Sequence, residues 1–296
     1  MSQITIMSLR HSAFYSPLLM TMAGGFLQGE GLEPSYRQES PGDIVVDNIR
    51  NGSCDLAQSS VATSFAALQR GELPDIVHFA QINARDGFFI AAREPDESFT
   101  WEKLAGRNVL VDHFFQPMAM FRYALHRKGV AYDSLKVVDA GQPGEMLQAF
   151  LGGRGDYIHL QGPAPQQLEQ DGHAFVVAAV GDAVGPVAFS SLCASRDWLR
   201  GEKAKAFMRA YRKSQRYVLE AEAEEIAARQ QEYGFFTEID PRVLANTIRA
   251  YQQLGCWQQT PDIPQADYEN LLDVFAFCSG EERRYPFNAA IVAPPG

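Results

Sequence analysis

Apolar and polar residues alternate over residues 4–9, ITIMSL, and that period of two predicts a first β-strand. Pro17 then suits the first turn of a helix, with Ser16 as its N-cap, and the apolar run LLMTMAGGFLQGEG carries that helix to 29–31. The alternation continues with strands over 32–38, 56–58 and 75–82, separated by a helix over 41–51 and another opening at Ser59 and Ser60. A charged, turn-rich stretch, ARDGFFIAAREPDESFTWEKLAG, breaks the rhythm; within it 88–92 reads as a strand and 101–104 as a helical turn. A second series follows. Strands are predicted over 109–112, 136–139, 157–160 and 175–180, with a helix beginning at Pro117, whose Met118, Phe121 and Leu125 recur at helical spacing, and another over 145–151. A return strand over 187–194 closes it. Beyond Asp197 the pattern is helical, over 202–232, 241–254 and 265–278, and the tail RRYPFNAAIVAPPG reads as extended.

The two series repeat one another. Gly52 to Gly71, GSCDLAQSSVATSFAALQRG, is a Gly-x-x-Asp turn, a short apolar strand, a Ser-rich turn and a helix closed by Gly. GRGDYIHLQGPAPQQLEQDG, from Gly153 to Gly172, has the same plan, and Asp55 and Asp156 each stand 16 residues before the closing glycine. Upstream, Gly31-Leu32 and Pro41-Gly42-Asp43 are matched by Gly129-Val130 and Pro143-Gly144-Glu145. A repeated strand–helix unit predicts two similar α/β lobes, each a mostly parallel sheet flanked by helices.

Composition narrows the functions. A net charge of −10 argues against a nucleic-acid surface, which needs a basic face. No apolar run reaches the length of a membrane span, and no signal peptide is visible ahead of the first strand. Cys54, Cys193, Cys256 and Cys278 form no Cys-x-x-Cys pair, so no metal site of that kind is expected; they read as small apolar residues. The acidic run near Glu220 to Glu225 reads as a solvated helix face.

In sheets of this kind, ligands bind outside the carboxyl ends of the strands. The loops to inspect are therefore 10–16, 58–60, 112–116 and 161–163, each leading into a helix N-terminus with its donor N–H groups. In the first, Arg10 either pairs with an acidic ligand or salt-bridges the surface, His11 reads as a hydrogen-bonded structural residue, and Ser12 is a hydroxyl donor. Gln58, Ser59, Ser60, Gln116, Gln161 and Gly162 line the others. Asp112-His113 reads as a loop bonded to its own backbone rather than a catalytic pair. Three aromatic doublets, Phe14-Tyr15, Phe88-Phe89 and Phe114-Phe115, fall at lobe edges; one member of each is expected to face the core and the other the opposite side, where a ring would suit a planar or apolar ligand.

GGFLQGEGLEP, Gly52 to Gly71, RDGFFIAAR, WEKLAGRNVLVD and GRGDYIHLQGPAPQQL, with Tyr268 and RRYPFN near the end, resemble the nitrate/sulfonate/taurine-type substrate-binding proteins of ABC importers, relatives of the thiamine-pyrimidine synthase. The resemblance implies a type II periplasmic-binding-protein architecture. In it, 1–86 and 190–296 form a discontinuous first lobe carrying the C-terminal helices, 87–189 form the second, and hinge closure traps a small ligand. It implies an ABC permease as partner, a periplasmic or surface-tethered location, no cofactor and no metal. It makes Arg10, His11, Ser12, Phe14, Tyr15, Gln58, Ser59, Ser60, Phe88, Asp112, His113, Phe114, Gln116, Gln161 and Gly162 the candidate ligand-binding set. A small anion of carboxylate or sulfonate type, possessing an aromatic or apolar portion, is the expected ligand. The alternative is a cytosolic enzyme or sensor on the same fold. The pyrimidine synthase needs a Lys and a His where this chain has Ser59 and Thr63, together with a Cys-rich motif that this chain lacks. The desulfinase relatives need a Cys in the loop that here holds Arg10, His11 and Ser12. No catalytic residue is therefore expected.

Overall fold

The computed structural model describes residues 1–39 and 44–296. Down the chain, β1 (Ser2–Ser8), α1 (Ser16–Ala23), β2 (Leu32–Gln38), α2 (Val45–Arg50), β3 (Leu56–Ser59), α3 (Phe65–Gln69) and β4 (Ile76–Asn83) form the first series. Next come β5 (Phe88–Ala92), β6 (Asn108–Leu110), α4 (Phe115–Arg127), β7 (Lys136–Val138), α5 (Pro143–Leu151), β8 (Tyr157–Gln161), α6 (Ala164–Gln170), β9 (Phe175–Ala179) and α7 (Val180–Val184). The chain ends with β10 (Ser190–Ser195), α8 (Glu202–Glu220), α9 (Ala223–Glu232), α10 (Pro241–Leu254), α11 (Gln265–Ser279) and α12 (Phe287–Ala290). Two compact units result. One comprises Met1–Ala84, Val187–Leu272 and Arg283–Gly296; the other comprises Arg85–Pro186 and Asp273–Glu282.

Each unit holds one five-stranded mixed sheet, ordered β2-β1-β3-β10-β4 in the first and β7-β6-β8-β5-β9 in the second. In each sheet one strand is reversed: β10 runs antiparallel between β3 and β4, and β5 between β8 and β9. The reversed strand of each sheet is the first strand after the chain crosses into that unit, β5 after Ala84 and β10 after Pro186. One core of the first unit gathers Met7, Val45, Ile49, Cys54, Ala57, Ile76 and Cys193; its counterpart gathers Leu110, Met146, Phe150, Ile158 and Leu168. The cysteines are all free thiols, three buried and Cys278 half-buried.

The repeated Gly-x-x-Asp turn does the same job twice. Gly52 and Gly153 take positive φ, 76° and 91°, which a side chain would resist. The turn delivers Asp55 against β1, where its N–H donates to Thr5 O (2.8 Å) and its Oδ2 accepts from Thr5 N (2.8 Å). Asp156 repeats both bonds against β6: N–H to Asn108 O (2.7 Å) and Oδ2 from Asn108 N (2.8 Å). The aspartate thus locks the amino end of a parallel pair where ladder bonds have not begun. The upstream Pro41-Gly42-Asp43 match and the start of the helix expected over 41–51 lie outside the described residues.

Several helical expectations fail for identifiable reasons. The first helix stops at Ala23 instead of 29–31. An ideal Cβ on Gly24 would lie 2.5 Å from the Phe26 ring, and Gly25 adopts a φ of 70°, so the chain turns there. Ser16 lies inside α1; Ser12 is the capping serine, accepting from Phe14 N (3.2 Å) at the turn Ala13–Tyr15 that precedes the helix. The helix expected over 202–232 is broken at Ala221 and Glu222, both extended. Gln252 on α10 donates Nε2 to Val218 O (2.9 Å) and Ala221 O (3.0 Å), which satisfies carbonyls left open at the end of α8. The tail is not wholly extended. Pro286 leads into α12, and Val292 N then donates to His78 O (2.9 Å).

Candidate functional site

The carboxyl ends of β1 and β3 lie side by side, with Ser8 opposite Gln58. Gln58 fastens them: its Oε1 accepts from Leu9 N (3.0 Å), and its Nε2 donates to Ser190 Oγ (3.0 Å) at the amino end of β10. This bond pair turns the chain out of β1 into the loop carrying Arg10, His11 and Ser12, so Arg10 to Tyr15 and Gln58 to Ser60 come together in the first unit. Ser60 caps the turn Val61–Ser64, accepting from Ala62 N (3.1 Å). Ser59, fully buried, has an Oγ with no hydrogen-bond partner among the described residues. A buried hydroxyl of this kind is costly unless something else answers it.

His78 stands beneath this edge. Its Nδ1 meets Ser191 Oγ at 2.7 Å and its Nε2 meets Thr63 Oγ1 at 3.4 Å. Complete burial pushes its pKa down to about 3, so the ring is neutral at pH 7. His11 is half-buried, its Nδ1 3.1 Å from the Tyr36 hydroxyl and its ring stacked on Phe236 with centroids 4.2 Å apart. Burial lowers its pKa, and Glu238 opposes that in part.

In the second unit, β6 and β8 run parallel, and their carboxyl ends bring Asp112, His113, Gln161 and Gly162 to the same edge as Phe88, which starts β5 and pairs with Gln161 on the neighbouring β8. Asp112 Oδ1 accepts from Phe114 N (2.9 Å) and His113 Nδ1 lies 2.7 Å from Val111 O, so this loop does bond to its own backbone. Gln116 is buried in the first turn of α4, and Gly162 precedes a cis Pro163.

The aromatic doublets do not split between core and edge. Phe14 and Tyr15 are both buried, because they form a turn packed against Phe189 and Tyr251 and not a strand. Phe88 and Phe89 are both buried because β5 is an interior strand covered on both faces; Phe88 stacks on His159 at 4.7 Å. Phe114 and Phe115 are both exposed, 52% and 67%, where α4 begins, with Phe115 stacked on Phe275. A fourth doublet, Phe235-Phe236, packs on His11, and Tyr36 and Ser190 bond to His11 and Gln58, though the sequence pattern singles out none of them. The GFF at 234–236 repeats the GFF at 87–89 and was the available signal; the others reach their places only through tertiary pairing.

Two α/β units of repeated topology, each with one reversed strand, define the fold of the two-lobed periplasmic binding proteins. The chain belongs to the NMT1/THI5-like family, whose model matches residues 13–225. It is 26% identical over 298 residues to the Bacillus subtilis (strain 168) protein YtlA, which is named as a binding protein, covering 98% of this chain and 88% of that one. Its fold matches the alkanesulfonate-binding protein SsuA from Xanthomonas axonopodis pv. citri, bound to MOPS, with a TM-score of 0.73 at 15% identity over 99% of each chain. It also matches the desulfurization enzyme DSZB, with a TM-score of 0.65 at 12% identity over 99% of this chain and 97% of that one.

Proposed function

We propose that this protein is the solute-binding component of an ABC importer and performs no chemistry. Its ligand is a small anion, a sulfonate or carboxylate with an apolar or planar portion, held at the carboxyl ends of β1 and β3. The observation that carries this reading is the buried, unanswered Oγ of Ser59 beside the Ser60 cap and the Arg10–Ser12 loop. An oxyanion accepts from that hydroxyl and from the guanidinium of Arg10, whereas the start of α1 adds no free amide, since the N–H groups of Phe14, Tyr15 and Ser16 are bonded to Ser12 and Ala13 and Pro17 has none. The binding-protein names of YtlA and SsuA support it, and SsuA is described with a sulfonate-class ligand. A permease partner and an exported or surface-tethered location follow from the same reading; no helix among the described residues is long and apolar enough to cross a membrane.

A second reading, catalysis, draws on DSZB and on the Ser191–His78 contact. The histidine weighs against it: an imidazole with a pKa near 3 is too weak a base to take a serine proton at pH 7. Both groups are buried, and the far nitrogen meets a threonine hydroxyl, not a carboxylate.

Ser59→Ala is expected to lower affinity for the best-bound anion about tenfold, the worth of one hydrogen bond to a charged acceptor, and to raise the stability of the ligand-free protein by removing an unanswered buried hydroxyl. Titration calorimetry beside a melting curve reads both. Unchanged affinity in this variant contradicts the anion site.

A further inference from the structure

Phe236 is the one non-glycine residue of the described chain with positive φ, 53°. That conformation is strained for an aromatic residue, and it is found where surrounding contacts hold a functional geometry. Here it lays the Phe236 ring flat on His11, with an interplanar angle of 22° at 4.2 Å, while Phe235 meets the same imidazole edge-on at 5.3 Å. The loop after α9 therefore fixes the plane of a histidine that lies beside the Ser59 edge of the sheet.

The hydrogen bonds fix its tautomer. Ser8 Oγ is fully buried and 2.6 Å from the Tyr36 hydroxyl, the only acceptor offered to it among the described residues. A buried O–H without an acceptor is costlier than a spare lone pair, so Ser8 gives its hydrogen to Tyr36. Tyr36 then donates to His11 Nδ1, 3.1 Å away. Nδ1 must be bare, and the ring proton sits on Nε2, which makes no hydrogen bond among the described residues, with the Glu238 carboxylate acting on the ring only through its charge. Burial of His11 and of Tyr36 keeps both groups neutral near pH 7.

We propose that the Ser8–Tyr36–His11 relay makes His11 a preset Nε2–H donor to the bound anion, with Phe236 as the positioning residue that holds its ring. This rests on the proposed binding role and names a ligand contact and its supports within that site. Left-handed strain in the loop is thus exchanged for a neutral donor whose direction is set before the ligand arrives.

Long-range proton–nitrogen NMR of the histidine rings in the ligand-free protein at pH 7 is expected to show His11 as the Nε2–H tautomer. Tyr36→Phe, which leaves Nδ1 without its donor, is expected to shift it toward the other tautomer. On addition of methanesulfonate or benzoate, the Nε2 resonance of His11 is expected to move at saturation. Phe236→Gly, which keeps the backbone angle but removes a buried ring, is expected to lower the melting temperature and, in the folded variant, to weaken probe affinity about tenfold, one hydrogen bond's worth. Phe236→Tyr is expected to restore affinity. A bare Nε2 or a charged ring in the free protein overturns the proposal. So does an Nε2 signal unmoved at saturation, or an affinity unaffected by Phe236→Gly. If neither probe saturates the protein although the tautomer is as stated, the anion-binding role falls, and with it the donor's target.

Discussion

Asp86→Asn is expected to stabilise the protein at neutral and alkaline pH, and more so as pH rises. Asp86 is fully buried just past the first crossing between units, and burial, reinforced by the nearby Asp112 carboxylate, pushes its pKa up to about 8. Oδ1 accepts from Phe88 N (2.6 Å), whereas Oδ2 is buried without a hydrogen-bond partner among the described residues. The cation next to it in sequence is turned elsewhere: Arg85 donates to Gly181 O (3.2 Å) and lies 3.9 Å from Asp182. Nor is there slack for the backbone to move, since a Cβ on Gly181 would come within 2.4 Å of Asp86 O.

An unfolded aspartate titrates near 4. Between about 4 and about 8 the folded state therefore holds a proton that the unfolded state has lost, and stability falls as pH rises through that window. Asparagine keeps the acceptor for Phe88 and never ionises. The variant should match the parent near pH 4 and gain on the order of 4 kcal/mol by pH 8 to 9. Urea midpoints measured from pH 4 to 9 read this directly. Parallel profiles, or a uniform loss in the variant, mean that the carboxylate is ionised and answered in the native protein.

Loss of the repeated aspartates is expected to separate two sites that the sequence makes look equivalent. Asp55→Ala removes the acceptor for Thr5 N, the partner of Trp198 Nε1 (3.1 Å) and that of Lys203 Nζ (3.1 Å). The ion pair is largely sheltered, with its side chains 21% and 33% exposed. Asp156→Ala removes the acceptor for Asn108 N and little else, at a more exposed edge. The first should cost roughly 3 kcal/mol and the second roughly 1 kcal/mol, since sheltered bonds to a charged acceptor are worth more than exposed ones. Equal losses in urea denaturation would show that Trp198 and Lys203 contribute nothing at Asp55.

These twins also mark what a single sequence discloses. Gly-x-x-Asp at matched spacing announces the unit, because a left-handed glycine and a carboxylate reaching back to the previous strand are local chemistry. Strands such as β2 and β5 and helices such as α10 were legible for the same reason, since period and caps lie within the segment. The break at Ala221 and Glu222 was not, because helix-favouring residues run straight through it and the stop comes from Gln252 on another helix. The tail misled because α12 and the bond from Val292 to His78 depend on a distant strand.

At the candidate site the strand-end rule named Arg10 to Ser12 and Gln58 to Ser60, and the Gln58–Leu9 bond brings those groups together. Tyr36, Phe236 and Ser190 stayed hidden, since their contacts with His11 and Gln58 come from partners in three dimensions and not from neighbours in sequence. The aromatic doublets misled for a related reason. The alternation expected of a half-buried strand does not hold at Phe14, which is in a turn, at Phe88, which is in an interior strand, or at Phe114, which precedes a helix.

The most direct test of the binding role is calorimetric titration of the purified full chain with matched solutes: methanesulfonate, taurine, benzenesulfonate and benzoate against neutral pyrimidines and amides. One-to-one binding of at least one sulfonate or carboxylate, with Arg10→Ala and Ser59→Ala each weakening it and the neutral solutes silent, is the expected result. A preference for taurine over the aromatic anions would remove only the planar portion of the ligand. Binding confined to neutral solutes, or anion binding indifferent to both substitutions, would contradict the assignment of the β1–β3 edge as an anion site.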